Sequence, residues 1–185
     1  DYERENKEIL RAIEVVTGVI GRKGIWVADR GFDNRWLFNE LGQRQLRFLL
    51  CAHRDRTVVV DGGKQSVLQV VEGLELGSYL HVGKRGKKKG LDIRYGACKV
   101  ELAEHWDAVR HKGVAQTLWL LVVQGYGTQG TRTFFYTNVG LEDPDRRRQM
   151  VRRYADRWAV EEEIEFLKRR LHMEDVRVRT WRAIE

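Results

Sequence analysis

The sequence contains one proline, Pro144, and two cysteines, Cys51 and Cys98. No apolar run approaches the ~20 residues that a membrane-spanning helix needs. Two thiols build neither a disulfide scaffold nor a CxxC metal knuckle, and reduced cysteines suit a cytoplasm. His53, His81, His105, His111 and His172 have no metal-ligand spacing and read as surface or structural histidines. Low hydrophobicity is absent as well. With 42% hydrophobic and 33% charged residues the chain is not a disordered polymer. Its 185 residues fit one large or two small domains with ample core. It opens at Asp1 without methionine and ends at Glu185 inside a helical run, which reads as a fragment cut at both ends.

Charge of one sign is in excess. The formal net charge is +7, which points to a polyanionic partner. Part of the excess is concentrated. Lys84, Arg85, Lys87, Lys88 and Lys89 surround Gly86, and Arg146, Arg147, Arg148, Arg152 and Arg153 form a second cluster. Each cluster alone also suits a merely solvated segment. Two clusters flanking a helix with chemistry of its own favour nucleic acid.

The pattern along the chain predicts a mixed α/β organisation. Residues 2–20 read as an amphipathic helix with Ile9, Ile13, Val16 and Ile20 on its apolar face. Ile25–Ala28 reads as a short strand buried on both faces, ending at Asp29. Asp33 is the expected cap of the next helix, which turns Trp36, Leu37 and Leu41 inward. Leu46–Cys51 reads as a second buried strand, so this stretch is a βαβ unit with a parallel pair. Short β-type runs come next at Thr57–Val60, Ser78–Val82, Ile93–Leu102, Thr117–Val123 and Thr133–Thr137. They predict an antiparallel β-rich module with the lysine run in one hairpin loop. Periodicity leaves Ser66–Val71 open between strand and helix. Asp143 and Pro144 form a helix-start signal, and a long helix is expected to about Leu171. Gly125, Gly127 and Gly130 mark a loop and no phosphate cradle, since no helix comes after them.

Two features carry candidate chemistry. Asp29 falls at the C-terminal end of a strand, the edge where open α/β sheets place ligands and catalysis. A turn-capping aspartate would sit there too. On the long helix, Tyr154, Arg157, Glu161 and Lys168 are offset by 3, 7 and 14 positions. At about 100° per residue they share a stripe roughly 60° wide. Val160, Ile164, Leu167 and Leu171 lie beside that stripe as an apolar face. An ordinary solvated face with i, i+4 pairing would also look like this.

The residues Tyr154-(2)-Arg157-(3)-Glu161-(6)-Lys168 resemble the Y-R-E-K signature of DDE transposases from bacterial insertion sequences, in the insertion-sequence-four group. VADRGF at Val27–Phe32 is similar to the segment around that family's second catalytic aspartate. FFYTN at Phe134–Asn138 resembles its strand before the last catalytic helix, and LHMEDVRVRTW resembles the segment after that helix. The matches run in the family's order over nearly the whole chain.

The resemblance implies an α/β fold with a ribonuclease H-like core, partial because the first strands are missing, and a β-rich insertion before the catalytic helix. The core then takes residues 1–53 and 144–185 and the insertion takes 54–143. Two Mg²⁺ or Mn²⁺ ions are implied, with Asp29 and Glu161 as catalytic metal ligands. Tyr154, Arg157 and Lys168 would grip phosphates, and Trp158 would meet a flipped base or pack in the core. Lys87, Lys88 and Lys89 would touch DNA backbone without reading sequence. Arg30 would pair with Asp29 or meet DNA. The family's first aspartate has no counterpart. Asp1, Glu3, Glu5, Glu8 and Glu14 all lie on or beside a polar helix face. Such a fragment would be inactive alone and would leave an apolar sheet edge open. The implied partner is double-stranded DNA, as transposon ends and target, and the whole enzyme would be a homodimer without membrane contact. The implied location is bacterial cytoplasm, at the nucleoid. A non-catalytic DNA-binding remnant, a ribonuclease H-like nuclease that cuts without joining, and a decayed element stand as alternatives.

Overall fold

A computed structural model describes residues 2–83, 91–107, 112–125 and 132–156. The elements are α1 (Tyr2–Ile20), β1 (Trp26–Ala28), a 3-10 turn (Arg30–Phe32), α2 (Arg35–Gln43), β2 (Phe48–Cys51), β3 (Thr57–Val60), β4 (Gly63–Ser66), α3 (Val67–Gly73), β5 (Ser78–Val82), β6 (Leu91–Asp107), β7 (Lys112–Gly125) and β8 (Arg132–Thr137). A further helix, α4, covers residues 144–156. The architecture is mixed α/β with a mostly antiparallel sheet. Among the described residues no helix is long and apolar enough to cross a membrane.

The strands share one sheet in the order β1-β2-β8-β7-β6-β3-β4, with β5 also paired to β6. β1 and β2 are the parallel pair, joined across α2 as the sequence predicts. β2 pairs antiparallel with β8, which links the βαβ unit directly to the long β6–β7–β8 ribbon. Four consecutive apolar residues make β2 fully buried. Phe48 and Leu50 face one core cluster, and Leu49 and Cys51 face the other. β8 repeats this alternation, with Phe134 and Tyr136 on the first side and Phe135 on the second. A period of two thus sends successive apolar side chains to opposite faces, and both faces need cover. Ile13 of α1, Leu37, Phe38 and Leu41 of α2, and Val67, Val70 and Val71 of α3 cover the first. Met150 and Val151 of α4 help to cover the second.

Local chemistry explains several boundaries. Asp61 and Gly62 both have positive φ between Val60 and its partner Gly63, so a two-residue hairpin turn joins β3 to β4. Ser66 and Gln69 form a reciprocal capping box, which settles residues 67–73 as helix. Asp143 caps α4 by accepting the Asp145 N–H at 2.9 Å, as its place before Pro144 predicts. Thr137 Oγ1 accepts the Val139 N–H at 3.1 Å. Asn138 accepts the Phe48 N–H at 3.1 Å and donates to the Leu46 carbonyl at 2.9 Å. The Thr-Asn pair of FFYTN therefore ends β8 and pins the approach to β2.

Three expectations need correction. Asn34, not Asp33, caps α2, accepting the Trp36 N–H at 2.9 Å. Asp33 is drawn instead into a buried ion pair. β1 is half-buried along its length, because it pairs only with β2 among the described residues and its other edge is open. The apolar stripe of α1 is buried at Ile13 alone, while Val16 and Ile20 are exposed, since packing against the sheet ends before the last two turns. β4 was hidden in the sequence because Gly63–Ser66 carries no apolar residue.

Gly96 of β6 lies under the chain that enters β5. An added Cβ would stand 2.6 Å from the Glu75 carbonyl oxygen and 3.2 Å from Leu76 Cδ2. Gly96→Ala must move backbone, so a urea melt should show a loss of about 1–3 kcal/mol.

Candidate functional site

The C-terminal end of the parallel pair carries the first candidate. Asp29 follows β1 directly and is exposed. Its Oδ1 accepts the Gly31 N–H at 3.0 Å, and its carbonyl accepts the Phe32 N–H at 3.2 Å. These bonds fold Arg30–Phe32 into its 3-10 turn and fix where the carboxylate sits. Along the open edge of β1 lies a cleft of about 440 Å³. Asp29 stands among its otherwise apolar walls, which include Ile9, Ile13, Trp26, Phe32 and Leu37.

A second carboxylate at this end has a different task. The Asp33 side chain is only 3% exposed. It accepts the backbone N–H of His53, the second residue beyond β2. Arg56 Nη2 lies 2.6 Å from Asp33 Oδ1 and donates to the Asp33 carbonyl at 2.8 Å. The same guanidinium stacks over Phe38, 5.6 Å from the ring centroid. Asp33 therefore ties the β1–α2 turn to the β2–β3 loop. Tyr136 stands in the same neighbourhood. It is fully buried, and among the described residues its hydroxyl has no hydrogen-bond partner. Burial, reinforced by the negative charge of Asp33, pushes the phenol well above its ordinary range.

Of the residues expected to join Asp29, only Tyr154 is described. It is half-buried on α4, and its ring meets Phe135 with centroids 4.5 Å apart and planes at 52°. Tyr154 thus docks α4 on the back of β8. Arg157, Trp158, Glu161, Lys168, Lys87, Lys88 and Lys89 lie outside the described residues, as does the Arg30 side chain. Val160, Ile164, Leu167 and Leu171 lie there too. Among the described residues no group of three or more His, Cys, Asp or Glu side chains gathers around a metal position. Asp29 offers a hard oxygen donor suited to Mg²⁺ or Mn²⁺, and one carboxylate is not a site.

The remaining candidates have plain roles. His81 Nδ1 lies 2.6 Å from Asp92 Oδ1 across the β5–β6 pair. That hydrogen bond, with one from Tyr79, holds the Asp92 carboxyl below the usual range. His53 Nδ1 stands 3.6 Å from Asp55. Cys51 is buried. Burial, aided by Asp61, pushes the Cys98 thiol up to about 11, so it is protonated and unreactive near neutrality.

No protein-family model matches the chain, and no curated protein matches it.

Two substitutions separate the buried groups beside Asp29. Asp33→Ala strands Arg56 and the His53 N–H, and should cost about 2–4 kcal/mol in a denaturant melt. Tyr136→Phe removes a hydroxyl that has no hydrogen-bond partner among the described residues, and should be neutral or stabilise by about 1 kcal/mol.

Proposed function

We propose that the chain is part of a DDE-type DNA transposase with a ribonuclease H-like core, acting on double-stranded DNA. The observation that carries this reading is the exposed carboxylate of Asp29 at the C-terminal end of β1, in a parallel β1–α2–β2 unit. The capped start of α4, in sequence register with Glu161, supports it. So does the excess positive charge.

In this proposal Asp29 and Glu161 hold Mg²⁺ or Mn²⁺. When bound, the metal supplies activation of the attacking oxygen and stabilisation of the leaving oxygen. Arg157 presents a guanidinium fork to phosphate oxygens, and Lys168 and Tyr154 add a point charge and a hydroxyl. Trp158 offers a stacking face, and Lys87, Lys88 and Lys89 neutralise backbone phosphates. In the first reaction a water oxygen bonds to phosphorus, and the bond to the 3′-oxygen breaks. The products are a 5′-phosphate and a 3′-hydroxyl. In the second, that hydroxyl attacks a target phosphodiester and displaces the target's 3′-oxygen. The enzyme would work as a homodimer on paired ends. Glu8 and Glu14 of α1 are exposed and are not read as the third carboxylate of such a site.

One observation favours a second reading, a DNA-binding module without catalysis. The Asp29 carboxylate already has a structural task in the turn to Gly31. The same experiment decides between them. The 185-residue chain should bind duplex DNA without cutting it. The polypeptide encoded by the whole gene should cleave and join transposon ends with Mg²⁺. Asp29→Asn and Glu161→Gln should lower cleavage at least a thousandfold while DNA affinity stays within threefold. Full cleavage by Asp29→Asn would overturn the assignment. DNA binding without any cleavage by the whole gene product would leave the binding module.

A further inference from the structure

A second concavity opens at the opposite end of the parallel pair from Asp29. Gly24 and Ile25 lead into β1 there, Arg47 leads into β2, and Asn138–Gly140 leave β8. α4 closes the space, which encloses about 690 Å³. Ile25, Val27, Val139 and Met150 give it an apolar floor. Arg47, Arg146 and Arg153 stand on its walls. Arg146 and Arg153 are seven positions apart on α4, two turns along one face. Arg47 reaches the same space from the β2 side.

No aspartate or glutamate lines the cleft among the described residues. Glu142 approaches Arg146 beside Gly140, but it already lies 3.1 Å from Lys99 Nζ. Three guanidiniums around one concavity repel each other unless an anion is shared between them. Guanidinium forks match phosphate oxygens in pairs, and an apolar floor suits the carbon skeleton of an ester. The walls are also held in place. Asn138 is fixed to both sides of Arg47 through the Leu46 carbonyl and the Phe48 N–H. The space is of the size at which small-molecule sites are found.

We propose that this cleft binds phosphate esters, with Arg47, Arg146 and Arg153 as the phosphate ligands. The ester is either a stretch of polynucleotide backbone or a free nucleotide. The site does not involve Asp29, and its test reads no cleavage, so it stands or falls apart from the catalytic proposal.

The 185-residue chain is titrated with a fluorescein-labelled 20-base-pair duplex and, separately, with ATP, between 50 and 200 mM NaCl. Two double variants with equal charge loss are compared. Arg47→Ala/Arg153→Ala removes two of the three arginines that line the cleft. Arg148→Ala/Arg152→Ala removes two exposed arginines of α4 that do not line it. The cleft pair should weaken at least one probe about tenfold or more, and the α4 pair should stay within about twofold. For the duplex, the salt slope should also fall by about 1.8, or roughly 0.9 per lost contact. Loss confined to the duplex identifies a polynucleotide, and loss confined to ATP identifies a nucleotide. Equal losses in the two double variants would reduce the effect to diffuse charge and overturn the proposal. Unchanged affinity, or no binding of either probe by the parent chain, would overturn it too. A thermal melt checks folding. If the Arg47 pair melts early, the single Arg153→Ala is read in the same way.

Discussion

The antiparallel pairing of β2 with β8 is the constraint on which the rest of the molecule depends. Leu50 is registered against Tyr136, and Cys51 against Phe135. Neither strand has a polar face, so the pair cannot lie on a surface. Each buried side chain of this size contributes about 1.5–3 kcal/mol, and only when both sides are covered. That requirement draws α1, α2 and α3 onto one side and α4 onto the other. It also explains why the βαβ unit and the long antiparallel strands form one sheet. β8 is the only described strand that bridges them, and its two neighbours are β2 and β7.

β2 has no polar side chain to define its ends, and nearby residues define them instead. At one end Asn138 bonds to backbone on both sides of Arg47. At the other, Asp33 accepts from His53 and pairs with Arg56. These two anchors fix the length of β2 and the exit directions of the chain. Asp29 owes its position to the second of them. Among the described residues its own carboxylate and carbonyl make local bonds to Gly31 and Phe32, while Asp33, four residues on, is tied across to the next loop. A buried carboxylate close in sequence thus holds an exposed one in place, and the two cannot exchange tasks.

Local signals in the sequence disclosed the elements that depend on local physics. Pro144 after Asp143, the run FLLC, and the β-type runs Ile93–Leu102 and Thr117–Val123 each carry their own signature; the helix start and β2 form there, and β6 and β7 form on those runs and extend beyond them. Ser66 and Gln69 contained a capping signal that distinguishes helix from strand at residues 67–73, and periodicity alone did not use it. Asp61-Gly62 was likewise a hairpin signal next to a β4 too polar to notice. Other features had no local trace. Asp33 looked like a helix cap because its partners, His53 and Arg56, arrive only when β2 has been placed. Arg47 gave no sign of sharing a cleft with Arg146 and Arg153, since β8 and α4 bring them together from a hundred residues away. In the candidate catalytic centre, Asp29 was legible as a carboxylate at a strand end. So was its second use, holding the turn through Gly31, since a turn-capping aspartate was the alternative reading at that position.

The distribution of charge between the two ends of the parallel pair is a consequence of this architecture. Strand C-termini present Asp29, exposed, and Asp33, buried and engaged by Arg56 and the His53 N–H. The opposite end presents Arg47, Arg146 and Arg153, with Glu142 near Arg146 and paired to Lys99. If the proposed phosphate-ester cleft holds, a polyanion is gripped at the arginine end, away from Asp29. On these proposals, binding is separated from any chemistry at Asp29. The two can then be lost independently. A substitution at Asp29 leaves the arginine end intact, and one at Arg153 leaves the turn around Asp29 intact, because β2 and its two anchors stand between them.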